Sequence, residues 1–129
     1  MKLASIDVGL KRIGIAICLT SDIVTPQAAI LRKNRNQAAR DVNIFLKEWE
    51  IEKLIVGFPS ASIDMQNRIN HFVSLLELEI PYEFCEENMS SIEAEDLIKG
   101  EIKYKRDGRI DSLAAKIILE RYLTKKILS

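Results

Sequence analysis

The chain has 129 residues, 47% of them hydrophobic, and its 19 basic and 19 acidic residues cancel to a formal net charge of 0. That length predicts one domain over residues 1–129, able to bury a core without disulfides or a structural metal. Neutral charge excludes a dedicated nucleic-acid coat protein, and no apolar run approaches the roughly 20 residues of a membrane span. With no basic-then-apolar leader at its start, the chain is expected in the cytoplasm.

Two apolar runs, Lys2 to Asp7 and Ile13 to Cys18, read as strands joined by a glycine-bearing basic turn, with Lys11 and Arg12 at its tip. A third strand is expected near Ala28 to Arg32. An amphipathic helix follows, with Ala38, Val42, Phe45, Leu46 and Trp49 on one stripe. Lys53 to Gly57 reads as a short strand stopped by Phe58-Pro59. A second helix starts at about Asp64 and turns Met65, Ile69, Phe72, Val73 and Leu76 inward. Pro81 ends the connection, and Tyr82 to Cys85 is the next strand.

Ser90 and Glu93 form a capping-box pair for a helix that stops at Gly100. A last helix runs from about Gly108 to Lys125, with Ala114, Ala115, Ile118, Leu119 and Tyr122 inward. Three strands followed by alternating helices and strands imply an α/β fold. Its five-stranded mixed sheet starts as an antiparallel meander, continues in parallel through right-handed crossovers, and carries helices on both faces. Cys18 and Cys85 lie in apolar runs and read as buried free thiols. His71, the one histidine, reads as a surface residue.

Acidic residues stand where an acid is locally awkward. Asp7 closes a strand, Glu86 and Glu87 follow another, and Asp111 shares the core-facing stripe of Ala114 and Ala115 in the first turn of the last helix. Strand ends of an open α/β sheet gather at one edge, where clefts form. Carboxylates converging there repel one another unless cations lie between them. Oxygen donors without histidine or thiolate favour Mg²⁺ or Mn²⁺. Two such ions suit phosphodiester hydrolysis. Basic residues cluster at Arg32-Lys33-Asn34-Arg35 and from Lys99 to Arg109, where Lys103, Lys105, Arg106 and Arg109 could meet a phosphate backbone.

Four blocks then occur in order: Asp7-Val8-Gly9-Leu10-Lys11-Arg12-Ile13-Gly14, Ile55-Val56-Gly57-Phe58-Pro59, Glu86-Glu87-Asn88-Met89-Ser90-Ser91-Ile92-Glu93-Ala94 and Gly108-Arg109-Ile110-Asp111-Ser112-Leu113-Ala114-Ala115. Over essentially its whole length the chain resembles the YqgF/RuvX family, bacterial ribonuclease H-like proteins described as Holliday junction resolvases and as pre-16S rRNA nucleases. The resemblance implies a ribonuclease H-like fold and a carboxylate triad of Asp7, Glu87 and Asp111, which would serve both catalysis and metal binding. Glu86 stands where the family has an aspartate and is a possible ligand beside Glu87. Asn88 stands where the family has an arginine, so a cation able to touch phosphate is absent.

The leading expectation is a metal-dependent nuclease maturing the 5' end of 16S rRNA precursors, as a monomer or weak homodimer that binds nucleic acid and no membrane. A resolvase of four-way DNA is the runner-up and requires two symmetric sites. A nucleotide- or RNA-binding module without catalysis is the rival of another class, because Asp7-Val8-Gly9 followed by Gly14 also resembles the phosphate hairpin of actin-like ATPases.

Overall fold

The computed structural model describes residues 1–20, 23–86 and 109–128, with side chains of the last helix described from Ser112 to Lys126. The elements are β1 (Leu3–Val8), β2 (Arg12–Cys18), β3 (Thr25–Leu31), α1 (Arg35–Glu48), β4 (Lys53–Phe58), α2 (Ile63–Leu76), β5 (Tyr82–Glu86) and α3 (Arg109–Leu128). The helix expected from Ser90 to Gly100 lies outside the described residues.

The sheet order is β3-β2-β1-β4-β5. β1 pairs antiparallel with β2, and β2 with β3, while β1–β4 and β4–β5 are parallel. This is the expected meander with a parallel continuation. β1, β2 and β4 are almost continuously apolar because both faces of the sheet are covered.

β3 begins at Thr25, three residues before the expected start at Ala28, and contains Pro26. A proline interrupts a strand reading because it cannot donate to the ladder. β3 is an edge strand, where that donor is not needed. Its register against β2 slips between Ile13 and Ile15, a bulge that bends the edge.

α1 starts at a capping box: Asn34 accepts from the Gln37 amide at 2.8 Å, and the Gln37 side chain accepts from the Asn34 amide at 3.4 Å. Ser62 accepts from the Met65 amide at 3.3 Å, so α2 starts at Ile63, one residue before the expected Asp64.

Strand alternation divides the core in two. On one face Ile6, Val8, Ile13, Ile15, Leu54 and Val56 pack under α1 and α2. On the other, Leu3, Ala16, Cys18, Ile55 and Cys85 meet Ala115, Ile118, Leu119 and Tyr122 of α3. Helices therefore cover both faces. Both cysteines are buried free thiols, as expected.

Candidate active site

Asp7 is the penultimate residue of β1 and half-buried. It shares the parity of Leu3 and Ser5, so it faces α3. Pairing of β1 with β4 ends at Ile6↔Val56, although β1 continues to Val8 and β4 to Phe58. The strands therefore part at Asp7. This is also where the sheet's connections diverge, with β2 and β3 on one side and β4 and β5 on the other, the place where open α/β sheets form clefts.

Space is left there by composition. The antiparallel partner of Asp7 is Gly14, and the β4 residue after the last paired position is Gly57. Neither flanking position carries a side chain to fill the sheet face around the carboxylate.

The turn after Asp7 is tight. The Gly9 amide donates to the Arg12 carbonyl at 3.0 Å, and a Cβ on Gly9 would lie 2.5 Å from that oxygen. Only glycine fits there. Arg32 braces the loop from outside: its amide donates to Lys11 O at 2.9 Å and its Nη1 to Gly9 O at 2.8 Å. Lys11 is exposed and Arg12 half-buried at the tip.

Two buried hydroxyls hold α3 over this part of the sheet. Ser5 Oγ donates to the Ala115 carbonyl at 2.6 Å, and Ser112 Oγ accepts from the Ile15 amide at 3.4 Å. Both serines are fully buried. Ser5 lies two residues before Asp7, and Ile15 follows Gly14, the partner of Asp7. Sequence pattern passes over these serines. The available signal is a lone hydroxyl in phase with the buried stripe of an otherwise apolar run.

Asp111 occupies the first turn of α3 and Arg109 begins it, but their side chains lie outside the described ones. An acid gains from the helix dipole there and a base does not. Glu87, Lys103, Lys105 and Arg106 lie outside the described residues. Among the described residues no group of three or more acidic, histidine or cysteine side chains forms a metal cluster.

Glu86 is turned the other way. Phe84 and Phe58, its β5 and β4 companions in parity and register, belong to the α1/α2 core, and the Glu86 carboxylate accepts from Ser60 Oγ at 2.9 Å. Asp7 and Glu86 thus stand on opposite faces of the sheet. On the face of Asp7, the β5 residue before Glu86 is Cys85, whose thiol donates to Ile118 O at 3.7 Å and has its pKa pushed up by burial, which makes it a poor nucleophile.

At the far end of α3, Lys53 Nζ bonds Tyr122 Oη at 2.8 Å and Glu83 Oε2 at 2.9 Å. Those bonds, with Tyr122 the larger cause, raise the Lys53 pKa, and Lys53 in turn lowers that of Glu83. No helix among the described residues is long and apolar enough to cross a membrane.

The family model of RuvX, described as a Holliday junction resolvase, matches residues 1–125. A protein of Sulfurovum sp. (strain NBC37-1) named "Putative pre-16S rRNA nuclease" is 65% identical over 127 residues, covering 96% of this chain and 99% of its own. Its namesake in Sulfurimonas denitrificans is 52% identical over 129 residues, covering 98% and 99%. Among solved structures, the fowlpox virus Holliday junction resolvase superposes with a TM-score of 0.61 at 14% identity, over 97% of this chain and 99% of its own. Thermus thermophilus RuvC does so with a TM-score of 0.53 at 13% identity, over 98% and 96%. At those identities the solved structures speak to the fold, which is ribonuclease H-like. The four sequence blocks, the sheet that parts at Asp7 and the match over nearly the whole length lead to one conclusion: the chain belongs to the RuvX family.

Proposed function

We propose that this protein is a metal-dependent nuclease, a single domain over residues 1–129, that hydrolyses phosphodiester bonds in maturing the 5' end of 16S rRNA precursors in the cytoplasm. The observation that carries the reading is Asp7, half-buried where β1 and β4 part, flanked by Gly14 and followed across the gap by Gly57. The substrate class is taken from the name of its relatives.

The ligand set we assign is Asp7, Glu87 and Asp111, all oxygen donors, which suits Mg²⁺ or Mn²⁺. Of the adjacent glutamates we choose Glu87, because Glu86 faces α1 and α2 and accepts from Ser60. Metal ions held there would supply Lewis-acid stabilisation as water attacks the phosphorus and the leaving oxygen departs. The chain's own part is to hold the carboxylates in place. The bonds of Ser5 and Ser112 set the position of the helix that bears Asp111 relative to the strand that bears Asp7. Lys11, Arg12, Lys103, Lys105, Arg106 and Arg109 are assigned to the phosphate backbone, as salt-sensitive contacts.

The test is cleavage of a 16S precursor RNA and of four-way DNA under matched conditions. Cleavage of the RNA with Mg²⁺ or Mn²⁺ is expected, and none with Ca²⁺, whose larger and looser shell places water poorly. Full activity after exhaustive chelation by EDTA would overturn the metal assignment. The family's description favours a second reading, resolution of four-way DNA. A preference for that substrate, cut symmetrically by a stable dimer, would establish it instead.

A further inference from the structure

Beside the hairpin tip, on the α1/α2 side of the same sheet edge, lies a depression of about 260 Å³. Its walls are Arg32, Arg35, Arg68 and His71, with Phe72 and Leu10 as the apolar parts. The arginines come from three places: the residue after β3, the first residue of α1 and the second turn of α2. Arg32 lies over the Phe72 ring, its Cζ 5.7 Å from the centroid, while its Nη1 holds Gly9 O at 2.8 Å. Arg35 Nη1 meets His71 Nδ1 at 3.1 Å. Arg68 Nη1 lies 4.0 Å from Met65 Sδ.

Among the described residues, none of these guanidiniums pairs with a carboxylate, whereas Lys2, Lys53 and Lys116 each do. In a protein of zero net charge, three like charges around one concavity are a local cost unless an anion enters. Arg32 already registers that cost: burial first, then Arg35 and Arg68, hold its pKa below the ordinary value. Guanidinium forks match the oxygens of phosphate. The rim at Leu10 is open, that residue being 62% exposed, which suits a chain that passes through better than an enclosed free ion.

We propose that Arg32, Arg35 and Arg68 bind a backbone phosphate of the nucleic acid whose cleavage is assigned to the Asp7 site. The proposal rests on the nuclease reading and deepens it. Arg32 follows the end of β3 and bonds to Gly9, two residues beyond Asp7. The depression and Asp7 therefore share one edge of the sheet but lie on opposite sides of it. A strand held in both must cross that edge over the hairpin tip, past Lys11 and Arg12. The three arginines also supply cations in a chain where Asn88 stands at the family's arginine position.

The experiment compares the parent with an Arg35→Ala/Arg68→Ala double variant. Arg32 is kept because it also braces the hairpin. Binding of a 16S precursor RNA oligonucleotide and of four-way DNA is measured in Ca²⁺ across a salt series, with thermal unfolding as the check on folding. Loss of that one phosphate contact should lower the log–log salt slope by about 0.7 to 0.9 and weaken binding about tenfold at moderate salt. The Arg35→Lys/Arg68→Lys variant should recover most of the slope but not all of the affinity, since lysine keeps charge and loses the fork. Unchanged affinity and slope in a folded alanine variant would overturn the site. Inorganic phosphate that stabilises the parent but not the variant, with nucleic-acid binding untouched, would also overturn it in favour of a free-anion site. A parent that binds neither nucleic acid would bring down the nuclease reading, and this site with it.

Discussion

Asp7 and Gly9 lie two residues apart and are needed for different reasons. Asp7 is a charged group at a gap between strands. Asp7→Asn should abolish cleavage while its thermal midpoint stays within about 3 °C of the parent or rises, because removing one charge from the proposed carboxylate set would relieve repulsion. Turnover equal to the parent's would remove Asp7 from the ligand set. Gly9 is required on steric grounds, since a methyl there would lie 2.5 Å from the Arg12 carbonyl. Gly9→Ala should cost about 1–3 kcal/mol by overpacking, read from denaturant midpoints, and should lower activity by displacing Asp7. An alanine variant of parental stability and rate would show that the turn relaxes freely.

At the scale of elements, α3 is fastened to the sheet at two heights. Near the site, Ser5 and Ser112 bond across the helix–sheet interface. Ser5→Ala and Ser112→Ala should each cost about 1 kcal/mol, with unchanged denaturant slope. Each should depress kcat by more than that loss of stability explains, since both reposition the helix bearing Asp111. A fall in stability with parental kcat would assign them to packing alone. Farther down, Lys53 joins Tyr122 and Glu83. The pKa of Lys53 is raised by folding, so its contribution is complete below the ordinary lysine range and fades as pH rises through the raised value. That of Glu83 is lowered, so its contribution is complete above the ordinary carboxylate range and fades as pH falls through the lowered value. The stability difference between the parent and Lys53→Met should therefore be flat across neutral pH and shrink at both extremes. A difference that varies between about pH 6 and about 9 would implicate other groups.

For the whole molecule, one sheet serves two cores, and Asp7 and the arginine depression lie on opposite sides of its rim. The RNA-processing reading needs only one such rim. Sedimentation should accordingly find a monomer or a weakly associating dimer at micromolar concentration. A tight dimer that persists on dilution would favour the resolvase reading, in which two copies must cut paired strands symmetrically.

The sequence by itself determined the order of the described elements, the mixed α/β class, the buried thiols and the family, because each rests on local information. Apolar periodicity is set by backbone geometry, and the turn between β1 and β2 is dictated by one close approach at Gly9. Asp7 stands out in the sequence because an acid ending an apolar run is costly without a partner, and the structure places it half-buried where β1 and β4 part. Tertiary structure alone decided what depends on who lies opposite. Pro26 entered β3 because that strand lies at an edge. Glu86 and Asp7 were separated by strand parity, a difference of one residue that reverses the face. Ser5 and Ser112 became fasteners only once α3 lay over β1 and β2. Arg35 and Arg68, 33 positions apart, met across two helices for the same reason: charge is written residue by residue, but its neighbours are chosen by the fold.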